Sequence, residues 1–132
     1  MEKLKIRIIT PDDIHVIEDV SSITLSAIDG ELTILPKHYP LMTAIDVSKI
    51  KFIKDKNPIY GFISDGLLNV KEHEVILILN AFEFKDEIDI ARAKASYERA
   101  YKRINSKQEN IDIARAEASL KRALTRMSIA QK

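Results

Sequence analysis

Arginine is the residue type in this chain whose placement points most clearly to a chemical role. Six of the seven arginines lie after residue 84, and lysine supplies almost all of the positive charge before it. The guanidinium group presents a rigid fork of donors that fits phosphates and carboxylates, whereas the lysine ammonium acts as a point charge. Residues 85–132 carry a net charge of +5 and residues 1–84 a net charge of −4. The last third of the chain is therefore a candidate surface for binding anions.

These six arginines belong to an internal repeat. Residues 87–103 and 110–126 match at eleven of seventeen positions when they are aligned with a shift of 23. The sequence Ile-Asp-Ile-Ala-Arg-Ala occupies 88–93 and again 111–116. The repeated arginines are Arg92, Arg99 and Arg103 in the first copy and Arg115, Arg122 and Arg126 in the second.

Helical periodicity predicts that the arginines of each copy share one side of a helix. At about 100° per residue they fall in a narrow wedge that lies beside an apolar stripe. Two such helices, packed antiparallel through their stripes, bring both rows of arginines to one face, which would be an anion site built without a P-loop. A nucleotide, a nucleic acid backbone and an acidic protein loop are all candidate ligands. An ordinary solvated helix face is the alternative to all three.

The elements that would carry these residues fall into two regions. No Gly or Pro occurs after residue 84, and apolar residues there recur at helical spacing on either side of a polar stretch at 105–110. The two stripes are Ile90, Ala93, Tyr97, Ala100, Ile104 and Ile113, Ala116, Leu120, Ala123, Met127. Residues 85–132 are therefore predicted to form an antiparallel αα-hairpin.

Residues 1–84 are predicted to form short strands. Segments rich in Ile and Val alternate with turn residues such as Asp29-Gly30 and Asp65-Gly66. The predicted strands cover 4–8, 14–20, 22–28, 31–35, 41–45, 48–54, 58–64, 67–71 and 74–80. We therefore expect an α+β chain, with an N-terminal β-sandwich domain at 1–84 and a C-terminal helical hairpin at 85–132.

The sequence lacks the residues and motifs that several classes of function require. The chain contains no cysteine and no Gly-rich phosphate or acyl-transfer motif, and its three histidines are scattered, so we expect neither a catalytic site nor a metal site. No signal peptide or membrane span is predicted, which makes a cytoplasmic location the default. A nucleic-acid-binding hairpin is disfavoured because Glu98, Glu109 and Glu117 interrupt the basic segment.

The predicted seam between the helices is weak because it consists largely of alanines. Each buried methyl-sized group contributes only about 0.8 kcal/mol. A pair of short helices is marginal without a partner, so a ligand that selects the folded hairpin would shift its equilibrium. The hairpin is therefore a candidate switch.

Three segments of the sequence resemble the epsilon subunit of bacterial F-type ATP synthases. They are Ile8-Ile9-Thr10-Pro11-Asp12, the run from Asp29 to Leu41 and the run from Phe62 to Val70. The resemblance spans essentially the whole chain. It implies a β-sandwich followed by a helical hairpin, in agreement with the periodicity.

The resemblance also implies a function and its partners. The chain would be a non-catalytic central-stalk subunit that couples rotation to ATP synthesis in a proton-transporting enzyme. It would contact the gamma subunit and the c-ring near Glu31 and His38, and lie peripherally on the cytoplasmic face of the bacterial membrane only through the complex. When extended, the hairpin would inhibit ATP hydrolysis in the alpha/beta hexamer. Its second helix carries the basic residues that can meet an acidic loop there, which are Arg115, Lys121, Arg122 and Arg126. A stand-alone nucleotide-sensing adaptor is the alternative.

Some members of that family bind ATP on the folded hairpin, as a regulatory ligand and not as a cofactor. Their motif matches Ile88-Asp89-x-x-Arg92-Ala93 in this sequence. The resemblance implies that Glu83, Ile88, Asp89, Arg92, Ala93, Arg99, Arg122 and Arg126 form the nucleotide site. It assigns no role to the second copy at 111–116.

Overall fold

The computed structural model describes residues 2–37, 40–106 and 112–130. Within them, nine strands precede a short 3-10 turn and two helices. The strands are β1 Leu4–Ile9, β2 Ile14–Ala27, β3 Gly30–Ile34, β4 Leu41–Ile45, β5 Ser48–Lys54, β6 Asn57–Ile63, β7 Gly66–Lys71, β8 Glu74–Leu79 and β9 Phe82–Phe84. The 3-10 turn is Lys85–Glu87, and the helices are α1 Ile90–Ile104 and α2 Ile113–Ala130.

The strands form a β-sandwich in which the long strand β2 belongs to both layers. Its first half pairs with β1, which also pairs in parallel with β8, and that layer continues through β7 to β4. Its second half pairs with β3 on one side and β5 on the other, followed by β6 and β9. A left-handed backbone at Asp19 and a shift of register between Val20 and Ser22 mark the change of partner. The two strands predicted at 14–20 and 22–28 are therefore one bent strand.

The core lies between the two layers and follows the alternation of the sequence. In β1 the side chains of Leu4, Ile6 and Ile8 are buried, and the residues between them are half-buried. In β5 the inward positions are Ile50 and Phe52, both fully buried. A period-2 apolar pattern thus fixes which face of each strand points inward.

Strand β9 and the 3-10 turn, which the sequence did not predict, connect the sandwich to the hairpin. Strand β9 pairs with β6 so that Glu83 lies opposite Phe62. The Glu87 carboxylate accepts a hydrogen bond of 2.9 Å from the backbone N–H of Phe84 and fixes the turn. This connection places the carboxylates of β9 and the turn beside the start of α1.

The two helices pack through their alanines, as the periodicity predicts. Ala93, Ala100, Ala116 and Ala123 are buried at the seam. Ile90 and Ile113, predicted to belong to the apolar stripes, are instead 39% and 54% exposed because they lie at the edge of each stripe. The pair is attached to the sandwich by a small cluster in which Ile129 packs against Phe62 and Ile88.

Candidate functional site

Two adjoining cavities lie where α1, α2 and the edge of the sandwich meet. The first, the helix cavity, has a volume of about 210 Å³ and is lined by Ser96, Arg99, Ala100, Arg103, Ser119, Arg122 and Arg126. The second, the junction cavity, has a volume of about 330 Å³ and is lined by Glu83, Glu87, Asp89, Arg92, Ala93, Ser96 and Arg126. Ser96 and Arg126 line both cavities, so one ligand can reach across them.

The serines of the repeat orient two arginines in the helix cavity. Arg99 Nη2 donates to Ser96 Oγ at 3.1 Å, and Arg122 Nη2 donates to Ser119 Oγ at 3.1 Å. Each bond joins residues three positions apart, which are neighbours on a helix surface. The guanidinium groups are therefore held in related orientations on the two helices, with further N–H donors available to an anion.

Arg126 joins the helices to the sandwich. Its Nε donates to Glu83 Oε1 at 2.5 Å, and its guanidinium carbon lies 4.2 Å from the centroid of the Phe62 ring. The Arg126 side chain is 26% exposed and the Glu83 side chain 31% exposed, so the ion pair is sheltered without being removed from water. A charged pair packed against an aromatic ring holds its geometry better than a free surface arginine.

The aspartate of each Ile-Asp-Ile-Ala-Arg-Ala copy begins a helix. Asp89 Oδ1 accepts from the backbone N–H of Arg92 at 3.1 Å, and Asp112 Oδ1 accepts from that of Arg115 at 3.0 Å. An aspartate at this position satisfies a helix N–H that has no partner within the helix. The alanines of the two copies, Ala93 and Ala116, are both buried in the seam. The aspartate and the last alanine of the second copy therefore have structural roles, as the cap of α2 and as part of the seam.

The two copies differ in what surrounds their first arginine. Arg92 lines the junction cavity, where Glu83 and Glu87 come from β9 and the 3-10 turn. Arg115, the corresponding residue of α2, is exposed and lines neither of the two cavities. The wedge of three arginines predicted for α2 therefore supplies two of its members, Arg122 and Arg126, to this face.

The structure brings most of the predicted nucleotide-site residues together. Seven of the eight line one cavity or the other; the eighth, Ile88, is buried in the cluster beneath them. Carboxylates gather in the junction cavity and guanidinium groups in the helix cavity. This arrangement can accept hydrogen bonds from one end of a ligand and donate them to an anionic end. That the ligand is a nucleotide remains a prediction.

Comparison with known families identifies both parts of the chain. Residues 3–85 match the family model described as "ATP synthase, Delta/Epsilon chain, beta-sandwich domain". Residues 86–131 match the model described as "ATP synthase, Delta/Epsilon chain, long alpha-helix domain". The chain belongs to the ATP synthase delta/epsilon chain family.

Curated relatives of this delta/epsilon chain bear the epsilon name. The chain is 42% identical to the ATP synthase epsilon chain of Lawsonia intracellularis, over 83% of this chain and 82% of that one. It is 36% identical to the ATP synthase epsilon chain of Anoxybacillus flavithermus, over 82% of this chain and 81% of that one. It is 35% identical, over 79% of each, to a sodium-ion-specific epsilon chain of Acetobacterium woodii. The chain is therefore similar to bacterial epsilon subunits, as its sequence motifs predicted.

Two solved structures share the fold of this delta/epsilon chain. A chain of the Euglena gracilis mitochondrial ATP synthase, in a structure of OSCP, F1 and the c-ring, superimposes with a TM-score of 0.84 at 17% identity and covers 100% of this chain and 83% of that one. A chain from the Tetrahymena thermophila mitochondrial ATP synthase central stalk and c-ring superimposes with a TM-score of 0.59 at 11% identity. The match covers 99% of this chain and 97% of that one. The predicted β-sandwich followed by two helices is confirmed.

The partner-contact residues predicted for this delta/epsilon chain lie apart from the cavities. Glu31 is exposed at the start of β3, and His38 lies outside the described residues. Lys121 Nζ donates to Asp46 Oδ2 of the sandwich at 2.5 Å, so its ammonium is engaged while the hairpin is docked. No helix in the described part of the delta/epsilon chain is long and apolar enough to cross a membrane.

Five cavity residues of this delta/epsilon chain were missing from the predicted site: Ser96, Ala100, Arg103, Ser119 and Glu87. A signal for four of them was present, because Ser96/Ser119, Ala100/Ala123 and Arg103/Arg126 are identities of the repeat. Glu87 has no counterpart in the second copy, where Asn110 stands. Only the 3-10 turn, which fixes Glu87 beside the helices, reveals its position.

Proposed function

We propose that this chain is the central-stalk epsilon subunit of a bacterial proton-transporting ATP synthase, whose hairpin is held against the sandwich by ATP and restrains ATP hydrolysis when released. One observation carries the proposal. Arginines from both helices and carboxylates from the sandwich edge line two connected cavities, and Arg126 belongs to both. A ligand bound there touches every element that must stay together for the hairpin to remain docked.

ATP fits the separation of charge between the cavities. The helix cavity offers guanidinium groups to the phosphates, and charge-assisted bonds of this kind are stronger than neutral ones. The junction cavity offers Glu83 and Glu87 to the donor groups of adenine and ribose. One oxygen of Asp89 caps α1, and the other remains a possible acceptor. The nucleoside would therefore lie against the sandwich edge and the phosphates between the helices.

The hairpin is attached to the sandwich by few contacts, so a bound ligand can change the stability of the docked state. Its buried attachment consists of Phe62, Ile88 and Ile129, with smaller side chains around them. Two ion pairs, Arg126–Glu83 and Lys121–Asp46, add to it. A ligand that binds only the docked form at 100 times its dissociation constant would stabilise that form by about 2.7 kcal/mol. This is comparable with the full burial of one large apolar side chain, which contributes about 1.5–3 kcal/mol.

The face of the hairpin opposite the arginines supports a second docking partner. Ile90, Tyr101, Ile113 and Leu124 are exposed large apolar side chains, at corresponding positions of the repeat. Release from the sandwich would also free Lys121 from Asp46. An extended hairpin could then place apolar side chains and the basic residues Arg115, Lys121, Arg122 and Arg126 against the alpha/beta hexamer, where an acidic loop would receive the arginines.

The outer face of the sandwich offers a surface for the gamma subunit. Ala44, Leu67, Ile78, Ile9 and Ile14 lie side by side across five successive strands. Leu67, Ile78 and Ile14 in this row are 49%, 50% and 61% exposed. A contiguous apolar patch of this kind marks a protein interface more often than a solvent-facing surface. The resemblance of the sequence supports a c-ring contact near Glu31, which is exposed at the start of β3, and His38, and the chain would then lie peripherally at the cytoplasmic side of the membrane.

Calorimetric titration of the isolated full-length chain with ATP tests the nucleotide site. We expect a saturable heat, and we expect Arg92→Ala to weaken binding at least tenfold because it removes a charge-assisted contact. Lys102→Ala is the matched control: it removes one positive charge from an exposed position of α1 outside both cavities, and it should bind ATP like the unaltered chain. No heat at millimolar ATP would refute the proposed ATP response.

Co-purification with the gamma subunit separates the stalk function from the stand-alone sensor. Leu67→Asp places a charge in the centre of the outer apolar row and should abolish capture of gamma without changing the ATP heat. Leu35→Asp, at another exposed leucine of the sandwich, is its control. ATP binding by a chain that never captures gamma would favour the stand-alone sensor.

A further inference from the structure

The helix cavity has an approximate two-fold symmetry that a nucleotide does not have. Six of its seven lining residues form three pairs related by the repeat. The pairs are Ser96 with Ser119, Arg99 with Arg122, and Arg103 with Arg126. The hydrogen bonds repeat as well, because each serine accepts from the arginine three residues later at 3.1 Å. The two helices therefore present the same set of groups to a ligand between them.

Positive charge is in excess in this cavity. Four guanidinium groups line it, and no carboxylate is among its lining residues. In the described part of the chain, Arg126 is the one of the four that has an ion pair, with Glu83. Four like charges that line one cavity favour an anion carrying several negative charges over a single carboxylate.

The helix cavity also holds fewer kinds of group that can select a base than the junction cavity does. Its lining consists of arginines, serines and one alanine, with no aromatic ring to stack on a purine and no carboxylate to accept from an exocyclic amine. Such acceptors are found in the junction cavity instead. Recognition of phosphate is thus separated in space from recognition of a nucleoside.

We propose that the helix cavity is a binding site for short inorganic polyphosphates, pyrophosphate and tripolyphosphate, which bind without a nucleoside. Pyrophosphate is itself two-fold symmetric, and each of its phosphates can take donors from one helix. Arg103, which the nucleotide site does not include, is a binding residue of this second ligand as the counterpart of Arg126. The inference rests on the proposed function only in placing phosphates in the helix cavity, and the two can fail separately.

The test is calorimetric titration of the full-length chain with sodium pyrophosphate and sodium tripolyphosphate at constant ionic strength. We expect saturable binding of both. We also expect Arg99→Ala and Arg122→Ala to weaken pyrophosphate binding by factors of at least ten that agree within about threefold, because the two residues are equivalent towards a symmetric ligand. Arg103→Ala should also weaken it, whereas Lys102→Ala should not.

The outcomes distinguish this inference from the ATP response. ATP heat without pyrophosphate or tripolyphosphate heat would overturn the polyphosphate site and leave the proposed function standing. Heat from pyrophosphate and tripolyphosphate without heat from ATP would refute the proposed ATP response and leave the polyphosphate site standing. Equal weakening by Arg103→Ala and Lys102→Ala would show a general attraction of anions to a basic surface, and would also overturn the site. Sodium sulfate at the same ionic strength should displace little pyrophosphate.

Discussion

The sandwich and the hairpin hold together in different ways. The sandwich buries branched and aromatic side chains from β1 through β9, including fully buried Ile50 and Phe52. The hairpin buries four alanines at its seam and is attached to the sandwich mainly through Ile129. Full burial of a large apolar side chain contributes about 1.5–3 kcal/mol, and a methyl-sized group contributes about 0.8 kcal/mol. Stability therefore resides in the sandwich, and control can reside in the hairpin.

The difference suits the proposed function, in which the hairpin changes position. A sandwich that remains folded can keep one set of contacts while the hairpin docks or is released. Many of the larger side chains of the hairpin lie on two exposed faces, one apolar and one rich in arginine. Its fully buried seam consists of alanines. Its docked state therefore depends on one small apolar cluster and on polar contacts, and ligands can strengthen or replace the polar contacts.

The largest expected effect is a cavity in the sandwich core. Ile50→Ala removes a fully buried side chain and should lower the free energy of unfolding by about 2–5 kcal/mol, with a clear fall in the thermal midpoint. Ile28→Ala is the same substitution at a position that is 69% exposed, and it should change stability by less than about 0.5 kcal/mol. Similar midpoints for the two variants would contradict the assignment of stability to this core.

An intermediate effect is expected at the base of the hairpin. Ile129→Ala weakens the one large buried contact of α2 with the sandwich, and should reduce the protection of α2 amides from hydrogen exchange at least tenfold. The sandwich strands should keep their protection, because their core does not include Ile129. Ile113→Ala, at an exposed position of the same helix, is the control. Equal loss of protection in helix and strands would show that the two regions unfold together.

The strands were predicted well from the sequence where a segment has a clear apolar pattern. They were predicted less well where pairing with another strand determines the structure. The segments of β5 to β8 carry enough apolar residues between turn residues to be recognised alone. Strand β9 has three residues, and it is a strand because it pairs with the edge of β6. The bend in β2 comes from a change of partners at Asp19, which no local pattern encodes.

The same contrast applies to the site. The arginines of the two helices could be brought to one face by periodicity and the repeat alone. The acidic wall of the junction cavity could not, because Glu83 and Glu87 reach it through β9 and the 3-10 turn. The repeat gives Arg92 and Arg115 equivalent positions on the two helices, but of the two only Arg92 lines the junction cavity. Local patterns thus predicted the arginines that line the cavities, and long-range contacts decided which copy of the repeat also lies beside carboxylates.

The smallest expected effect concerns the ion pair between Lys121 and Asp46, whose side chains are 51% and 50% exposed. The hydrogen bond from Lys121 lowers the pKa of Asp46 from its ordinary value of 3.8, and although burial opposes it, the N–H of Val47 adds to the lowering. An exposed pair contributes at most about 1 kcal/mol, so Asp46→Asn should weaken hairpin docking by no more than that at neutral pH. The amide oxygen of asparagine can still accept from Val47, which confines the change to the ion pair.

The pH dependence gives this small effect a distinct signature. Because the pKa of Asp46 is lower in the docked state, the contribution of the pair is complete above 3.8 and is lost as the pH falls through the lowered value. Hydrogen exchange of α2 should therefore differ between the unaltered chain and Asp46→Asn at pH about 7, and the difference should shrink at pH about 3. Asp29→Asn, in the turn between β2 and β3, should match the unaltered chain at both pH values. A difference that persists unchanged in acid would mean that Asp46 stabilises the docked hairpin without its charge.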